Sequence, residues 1–216
     1  KAIEANKVED FFSNTLIITE FKESPLYKIA KDNNCLLLEH HKDVGGRYSI
    51  FTNVGIVPAI ISGLNIDALF GGASEVINNI DNYKPYDLGR YLTQKENVKF
   101  TNNVLMTYSD SLYFFGKWYL QLWAESIGKN NKGITAIHSV GTTDQHSQLQ
   151  LYLDGPKDKY FSFITTDHSN KGIKINNDMF EGTNIDYFKD KKMGDLMEAE
   201  QRATIETFKL NNFSFR

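Results

Sequence analysis

The feature that most constrains this chain is an order of strand, helix and strand in which the strands are almost wholly apolar. Thr15-Leu16-Ile17-Ile18-Thr19 leads to Ser24-Pro25, an N-cap with proline at the first helical position. Leu26, Ile29 and Ala30 then share one helical face, and Cys35-Leu36-Leu37-Leu38 follows as the next strand. Near-continuous apolar strands alternating with helices belong to parallel sheets covered by helices.

The alternation returns further along. A strand is predicted over Val104–Tyr108, a helix start at Ser109-Asp110, and an aromatic-rich helix over Leu112–Ser126 that Gly128 stops. Strands over Thr135–Ile137 and Tyr160–Thr165 and helices over Gln145–Leu153 and Met193–Phe208 complete the pattern. Between the two alternations the pattern is helical, through Ile60, Ile66, Leu69, Val76, Ile77 and Ile80 and again over Pro85–Gln94. The fold class expected is α/β, with mainly parallel sheets in two units joined by a helical connector. A further helix is predicted at the start, from Ala2, Ile3, Ala5, Val8, Phe11 and Phe12.

Composition removes several classes of function. Among 216 residues, 24 Lys and Arg face 27 Asp and Glu, and no basic block is interleaved with aromatics, which argues against nucleic acid or an anionic membrane surface as partner. The weakly polar stretch Val54–Leu64 is broken by Gly55, Pro58, Ser62 and Gly63, too short and too interrupted to span a bilayer. Cys35 is the single cysteine, so neither an intrachain disulfide nor a zinc cluster is available; a reducing, cytoplasmic setting and a buried, inert thiol are expected. No His/Cys/carboxylate triplet has ligand spacing, so neither metal nor cofactor is expected. The first residue is Lys1, with no Met and no leader, and the chain reads as an internal piece of a longer polypeptide.

Three polar constellations stand against this framework, each expected where a loop meets the end of a sheet element, as sites do in open α/β folds. The first is Gly45-Gly46-Arg47-Tyr48-Ser49, whose glycines permit a backbone turn and a close approach to the guanidinium; a tight turn with a surface arginine is the plainer reading. The second is Gln121-Leu122-Trp123-Ala124-Glu125-Ser126-Ile127-Gly128-Lys129, in which Gln121 and Glu125 share a helix face. Turned inward beside Trp118, Leu122 and Trp123, Glu125 would be desolvated toward a general-base pKa; turned outward, the pair would be an ordinary amphipathic face. The third is Gly141-Thr142-Thr143-Asp144-Gln145-His146, where Asp144 can cap a helix that carries His146 in its first turn, a place where a histidine is also commonly structural. His40, His41, His138 and His168 read as surface or loop residues.

Taken together and in order, these three segments resemble the glucose-6-phosphate isomerase family, in its bacterial form. The resemblance carries through Asp144-Gln145-His146-Ser147-Gln148-Leu149 and Ala199-Glu200-Gln201-Arg202-Ala203-Thr204 and so covers nearly the whole chain. It implies two sugar-isomerase (SIS) domains of three-layer α/β/α type: residues 1–53 as the end of the first, 54–97 as a helical connector, and 98–216 as most of the second. It further implies interconversion of glucose 6-phosphate and fructose 6-phosphate in glycolysis and gluconeogenesis, by a homodimer.

In the roles so implied, Glu125 is the base that moves a proton between C1 and C2, and Arg47 stabilises the enediolate, with Gly45 and Gly46 beside it. Gln121 positions sugar hydroxyls, and His146 helps open the ring from the neighbouring subunit. The family's phosphate-holding loop, rich in Ser and Thr, would lie before Lys1, and its catalytic-lysine element after Arg216; Asn53 stands where small residues or proline are usual. The residues here therefore read as a partial active site, inactive alone. A noncatalytic SIS-type module that binds sugar phosphates is the alternative, against which the retained Glu125 and Gln121 speak; an unrelated scaffold would not carry three ordered motifs.

Overall fold

A serine in front of a proline starts the first long helix, as predicted. In the computed structural model, which describes residues 10–94, 99–180 and 182–216, Ser24 Oγ accepts from the Tyr27 N–H at 3.2 Å and opens helix α1 (Pro25–Asp32). Strands β1 (Leu16–Thr19) and β2 (Leu36–Glu39) flank it and pair in parallel, Leu16 opposite Leu36 and Thr19 opposite Glu39. Parallel neighbours need such a crossover, and α1 supplies it. Ala30 on α1 and Ile17 on β1 are buried. Cys35 is half-buried, contrary to expectation, because it lies in the turn before the ladder begins, its N–H held by the Ala30 carbonyl at 2.9 Å. Of the helix expected from Ala2 to Phe12, residues 1–9 lie outside the described residues, and Phe11 and Phe12 lie in a turn.

The chain divides into two compact units, Lys1–Pro85 and Tyr86–Arg216. Past β2 the first unit is helical: a 3-10 turn over Gly46–Phe51, then α2 (Asn53–Ile61), α3 (Ile66–Asn78) and α4 (Ile80–Tyr83). Thr52 and Asn65 cap α2 and α3 by accepting from Val54 N–H and Ala68 N–H. Gly55 is the glycine this packing requires, since a Cβ there would stand 2.2 Å from the Ile50 carbonyl oxygen.

In the second unit, α5 (Asp87–Thr93) precedes a parallel sheet of β3 (Asn102–Thr107), β4 (Thr135–Val140) and β5 (Lys159–Ile164) in the order β4-β3-β5. Val104 stands opposite Ile137 on one side and Phe161 on the other. The chain end extends the sheet: Phe161 N–H donates to the Ser214 carbonyl, and Arg216 N–H to the Phe161 carbonyl at 3.0 Å, which covers the outer edge of β5.

The helices sort by face. On one side α6 (Tyr113–Ile127) packs on β3 and β4, with Asn103 Nδ2 donating to Tyr119 Oη at 2.5 Å and Gly116 against the His138 ring. On the other side α7 (Leu149–Asp154) and α8 (Met193–Leu210) cover Val104 and Phe161 through Tyr152 and Phe208. Three layers result, and the parallel α/β class is as expected. Phe161 and Phe208 meet edge to face at 4.5 Å, with Tyr152, Phe163 and Phe213 completing the aromatic cluster.

The helix expected over Gln145–Leu153 is split into a 3-10 turn, Thr143–His146, and α7. At the split the Asp144 carboxylate turns back to the Val140 N–H at 2.7 Å and accepts forward from the Ser147 hydroxyl at 3.1 Å, not from a backbone N–H of the helix.

Phe208 is fully buried at the centre of this cluster. Phe208→Ala should therefore destabilise the second unit by about 3–5 kcal/mol, read by chemical denaturation, whereas Leu210→Ala on the exposed side of α8 should stay within about 0.5 kcal/mol of wild type.

Candidate functional site

Arg47 lies in the first turn of the 3-10 element, half-buried, with its guanidinium 4.8 Å from the Tyr48 ring centroid. Ser49 Oγ donates to the Gly46 carbonyl at 2.6 Å and fixes the turn. The glycines do not serve the expected steric purpose inside the chain. A Cβ on Gly45 would be 3.8 Å from Tyr48 and one on Gly46 would touch nothing, and Gly45 has φ −65°. What their bareness leaves open is approach from outside, toward the arginine.

Gln121 and Glu125 do meet on one face of α6, Gln121 Nε2 donating to Glu125 Oε1 at 3.1 Å. That face is exposed, so the outward reading holds in this chain and the desolvation expected from Trp118, Leu122 and Trp123 is not realised. Trp123 instead points its Nε1–H at the Ile134 carbonyl, 2.7 Å away, pinning the end of α6 to the entry of β4. Lys129 Nζ caps the helix end through the Glu125 and Ser126 carbonyls at 3.1 and 2.9 Å.

His146 is exposed at the end of its 3-10 turn, past the carboxyl end of β4. The helix α6 runs against the strands: Tyr113 and Gly116 lie beside His138 near the end of β4, and Trp123 beside Ile134 at its start. Gln121 and Glu125 thus stand toward the amino edge of the sheet and His146 beyond its carboxyl edge, with the six residues of β4 between them, about 20 Å of strand. The second unit does not bring Glu125 and His146 together; the third constellation lies beyond the carboxyl edge of its sheet, the first follows the carboxyl end of β2 and shares a pocket with Thr19 and His40, and only the second departs from the strand-end position expected for all three.

At that carboxyl edge the structure assembles a polar network that sequence reasoning missed. Gln145 Nε2 donates to Thr204 Oγ1 on α8. Gln201, one turn earlier, clamps the backbone of Thr166 twice, accepting from its N–H at 3.1 Å and donating to its carbonyl at 3.2 Å. Thr166 Oγ1 donates to the Tyr108 carbonyl at 2.7 Å, which His168 Nε2 also reaches at 2.5 Å. Gln201, Thr204 and Phe208 are the buried residues of α8. Their spacing of three and four residues was a legible signal of one inward face with two polar members.

Burial pushes the Tyr108 phenol up, against the effect of the Thr204 hydroxyl beside it. His168 lies in the loop after β5, half-buried, within the surface-or-loop reading, whereas His138 departs from it. His138 lies in β4 with Nε2 3.0 Å from Thr107 Oγ1, and burial, aided by Lys117 and opposed by Asp144, lowers its pKa from 6.5. No group of three or more His, Cys, Asp or Glu able to hold a metal occurs among the described residues, and no helix among them is long and apolar enough to cross a membrane.

No family model matches the chain. Curated relatives do. A glucose-6-phosphate isomerase of Rubrobacter xylanophilus is 33% identical over 197 residues, 89% of this chain and 46% of the relative. One of Methanocaldococcus jannaschii is 36% identical over 92% of this chain and 49% of its own length. A probable glucose-6-phosphate isomerase of Methanococcus maripaludis is 41% identical over 69% of this chain and 35% of its own. The chain spans about half the length, or less, of these relatives. Among solved structures, a hypothetical protein of Thermus thermophilus superposes on 99% of this chain with TM-score 0.85 at 28% identity, over 53% of that chain. A glucose-6-phosphate isomerase of Chlamydia trachomatis shares the fold over 94% of this chain and 40% of its own, with TM-score 0.69 at 20% identity.

Because the His138 pKa is lowered on folding, the unfolded chain binds the proton more readily. The stability this contributes is present above the unfolded pKa and is lost as pH falls from about 6.5. Denaturation midpoints should fall with acidification through that range, and His138→Gln should flatten that part of the profile.

Proposed function

We propose that this chain, a homologue of glucose-6-phosphate isomerases, forms about half of an enzyme that interconverts glucose 6-phosphate and fructose 6-phosphate. The observation that carries the reading is the likeness to relatives of that name along nine-tenths of the chain, with Arg47, Gln121, Glu125 and His146 all in place. Residues 1–53 and 98–216 are the parts of two SIS domains in this reading, and 54–97 the helical link between them. Homodimer assembly and residence in the cytoplasm belong to the same reading.

Moving a proton between C1 and C2 of the open sugar needs a base that takes and returns it and a cation near the oxyanion that develops. Glu125 is the base and Arg47 the cation. Gln121 serves twice, since its amide already holds one Glu125 oxygen, while its remaining donor and acceptor can orient sugar hydroxyls. An exposed carboxylate takes on base character once substrate and a neighbouring surface cover it, which makes closure part of the catalytic requirement. His146, the group that moves the ring-opening proton, cannot serve the Glu125 of its own second unit across the length of β4, so in a homodimer each site takes its histidine from the partner copy. A sugar-phosphate-binding module without chemistry would have no need of the Gln121–Glu125 pair.

In the native polypeptide, Glu125→Gln should lower turnover by about 10²–10⁴-fold with substrate binding retained. Arg47→Lys should also be costly, because an ammonium does not reproduce the planar donor set of the guanidinium. Mixing inactive Glu125→Gln and His146→Ala proteins should restore about a quarter of wild-type activity if base and histidine act across a two-fold interface, since half the dimers then hold one intact site. Failure of the mixture to recover any activity would place both groups in a single copy, and full activity of Glu125→Gln would remove it as base.

A further inference from the structure

We infer that Thr204 on α8 is a positioning residue for His146, acting through the side chain of Gln145. The inference rests on the isomerase reading for its functional consequence and on the geometry of the second unit for the tether itself.

A four-residue 3-10 turn is a weak support for a proton-transferring group, since its hydrogen-bond geometry is poor and runs of this kind stay short. The turn Thr143–His146 has no side-chain cap at its start, and the imidazole at its end is exposed. Left to itself, such a segment would spread His146 over many orientations. Three anchors prevent this. Asp144 takes the Val140 N–H at 2.7 Å and the Ser147 hydroxyl at 3.1 Å, which fixes the turn to the end of β4. Gly141 N–H donates to the Thr107 carbonyl at 2.9 Å, and Gly141 lies so close to the Tyr108 ring that a Cβ would come within 2.4 Å of it, which fixes the entry of the turn to the end of β3. The third anchor comes from the opposite layer, where Thr204, only 4% exposed, receives the Gln145 amide immediately before His146.

The third anchor differs from the other two in what it spans. Asp144 and Gly141 bind the turn to strands it is continuous with or adjacent to, whereas Thr204 ties it to a helix some sixty residues later. With Gln201 holding Thr166 from the same helix face, α8 pins two of the three loops that leave the carboxyl edge of the sheet, the one after β4 and the one after β5. The bond to Thr204 satisfies the Nε2 end of the Gln145 amide, while its Oε1 is buried without a partner among the described residues, so losing that bond would leave the whole amide buried and unpaired. A misplacement on the order of 1 Å at a catalytic group is enough to cost about 10²-fold, so a tether of this kind bears on rate more than on fold.

The test uses the native polypeptide. Thr204→Val keeps volume and removes the hydroxyl, Thr204→Ser returns it, and Gln145→Met cuts the same tether from the loop side. The expected result is a fall in kcat of about tenfold or more for Thr204→Val and Gln145→Met with KM little changed, recovery in Thr204→Ser, and no additional loss when Thr204→Val is placed in a His146→Ala background. The Cε1 resonance of His146, followed by selective labelling, should shift or broaden in Thr204→Val while that of His138 stays. An equal loss in the His146→Ala background, or an unmoved His146 resonance, would overturn the inference. If the native polypeptide proves to have no isomerase activity, the functional reading fails by itself, and the His146 resonance alone decides whether the tether exists.

Discussion

The structure depends on the demand that parallel strands make of the chain between them. A strand that pairs in parallel with its predecessor must be reached by a crossover that returns the full length of the sheet, and the crossover buries one face of its helix on the way. In the second unit β3 is the centre of this arrangement, with Asn103, Val104, Met106 and Thr107 almost without exposure because both neighbours and both layers cover them. The direction of every helix follows. The helix α6 must start where β3 ends and finish where β4 begins, which carries Gln121 and Glu125 to the edge of the sheet opposite His146.

That consequence links topology to chemistry. Two groups of one reaction placed at opposite edges of one sheet cannot share a site within that sheet, so a catalytic pairing of Glu125 with His146 requires a second copy of the edge. The requirement comes from strand length and helix direction, not from any contact at the site. In the proposed homodimer the exposure of both groups has the same origin, since residues that complete a site across an interface are left open in the single chain.

Much of this architecture was legible in the residues because its signals are local. Ser24-Pro25 is a start signal that needs no tertiary context, and the run at Val104–Tyr108 is apolar because its strand is covered on both faces. The Gln121–Glu125 contact was equally legible, as four-residue spacing on a helix is geometry alone. The side that face would turn to was not, because orientation is decided by what the rest of α6 packs against, here Gly116 against His138 and Trp123 against Ile134. Asp144 was misread for a related reason. An aspartate three to four residues past a strand can cap forward or backward, and the backward bond to Val140 depends on where β4 ends, which no local pattern states.

The polar face of α8 shows the limit most clearly. Gln201 and Thr204 occupy positions that periodicity assigns to the interior, where a sequence pattern expects apolar side chains, and their meaning lies in partners some 35 and 59 residues away. Buried polar groups are tolerated only where they are satisfied, so each one inside a helix face reports a specific backbone or side chain it must meet. On α8 the apolar member, Phe208, fills the aromatic core under β5, and the two polar members meet the loops beyond the strand ends. One helix face thus divides its labour along its axis: its later turns hold the sheet together, and its earlier turns hold the segments where chemistry would be done. A face that only stabilised the fold would gain nothing from this division, since an apolar residue in place of Thr204 would serve the core as well and leave the turn that carries His146 without its tie to α8.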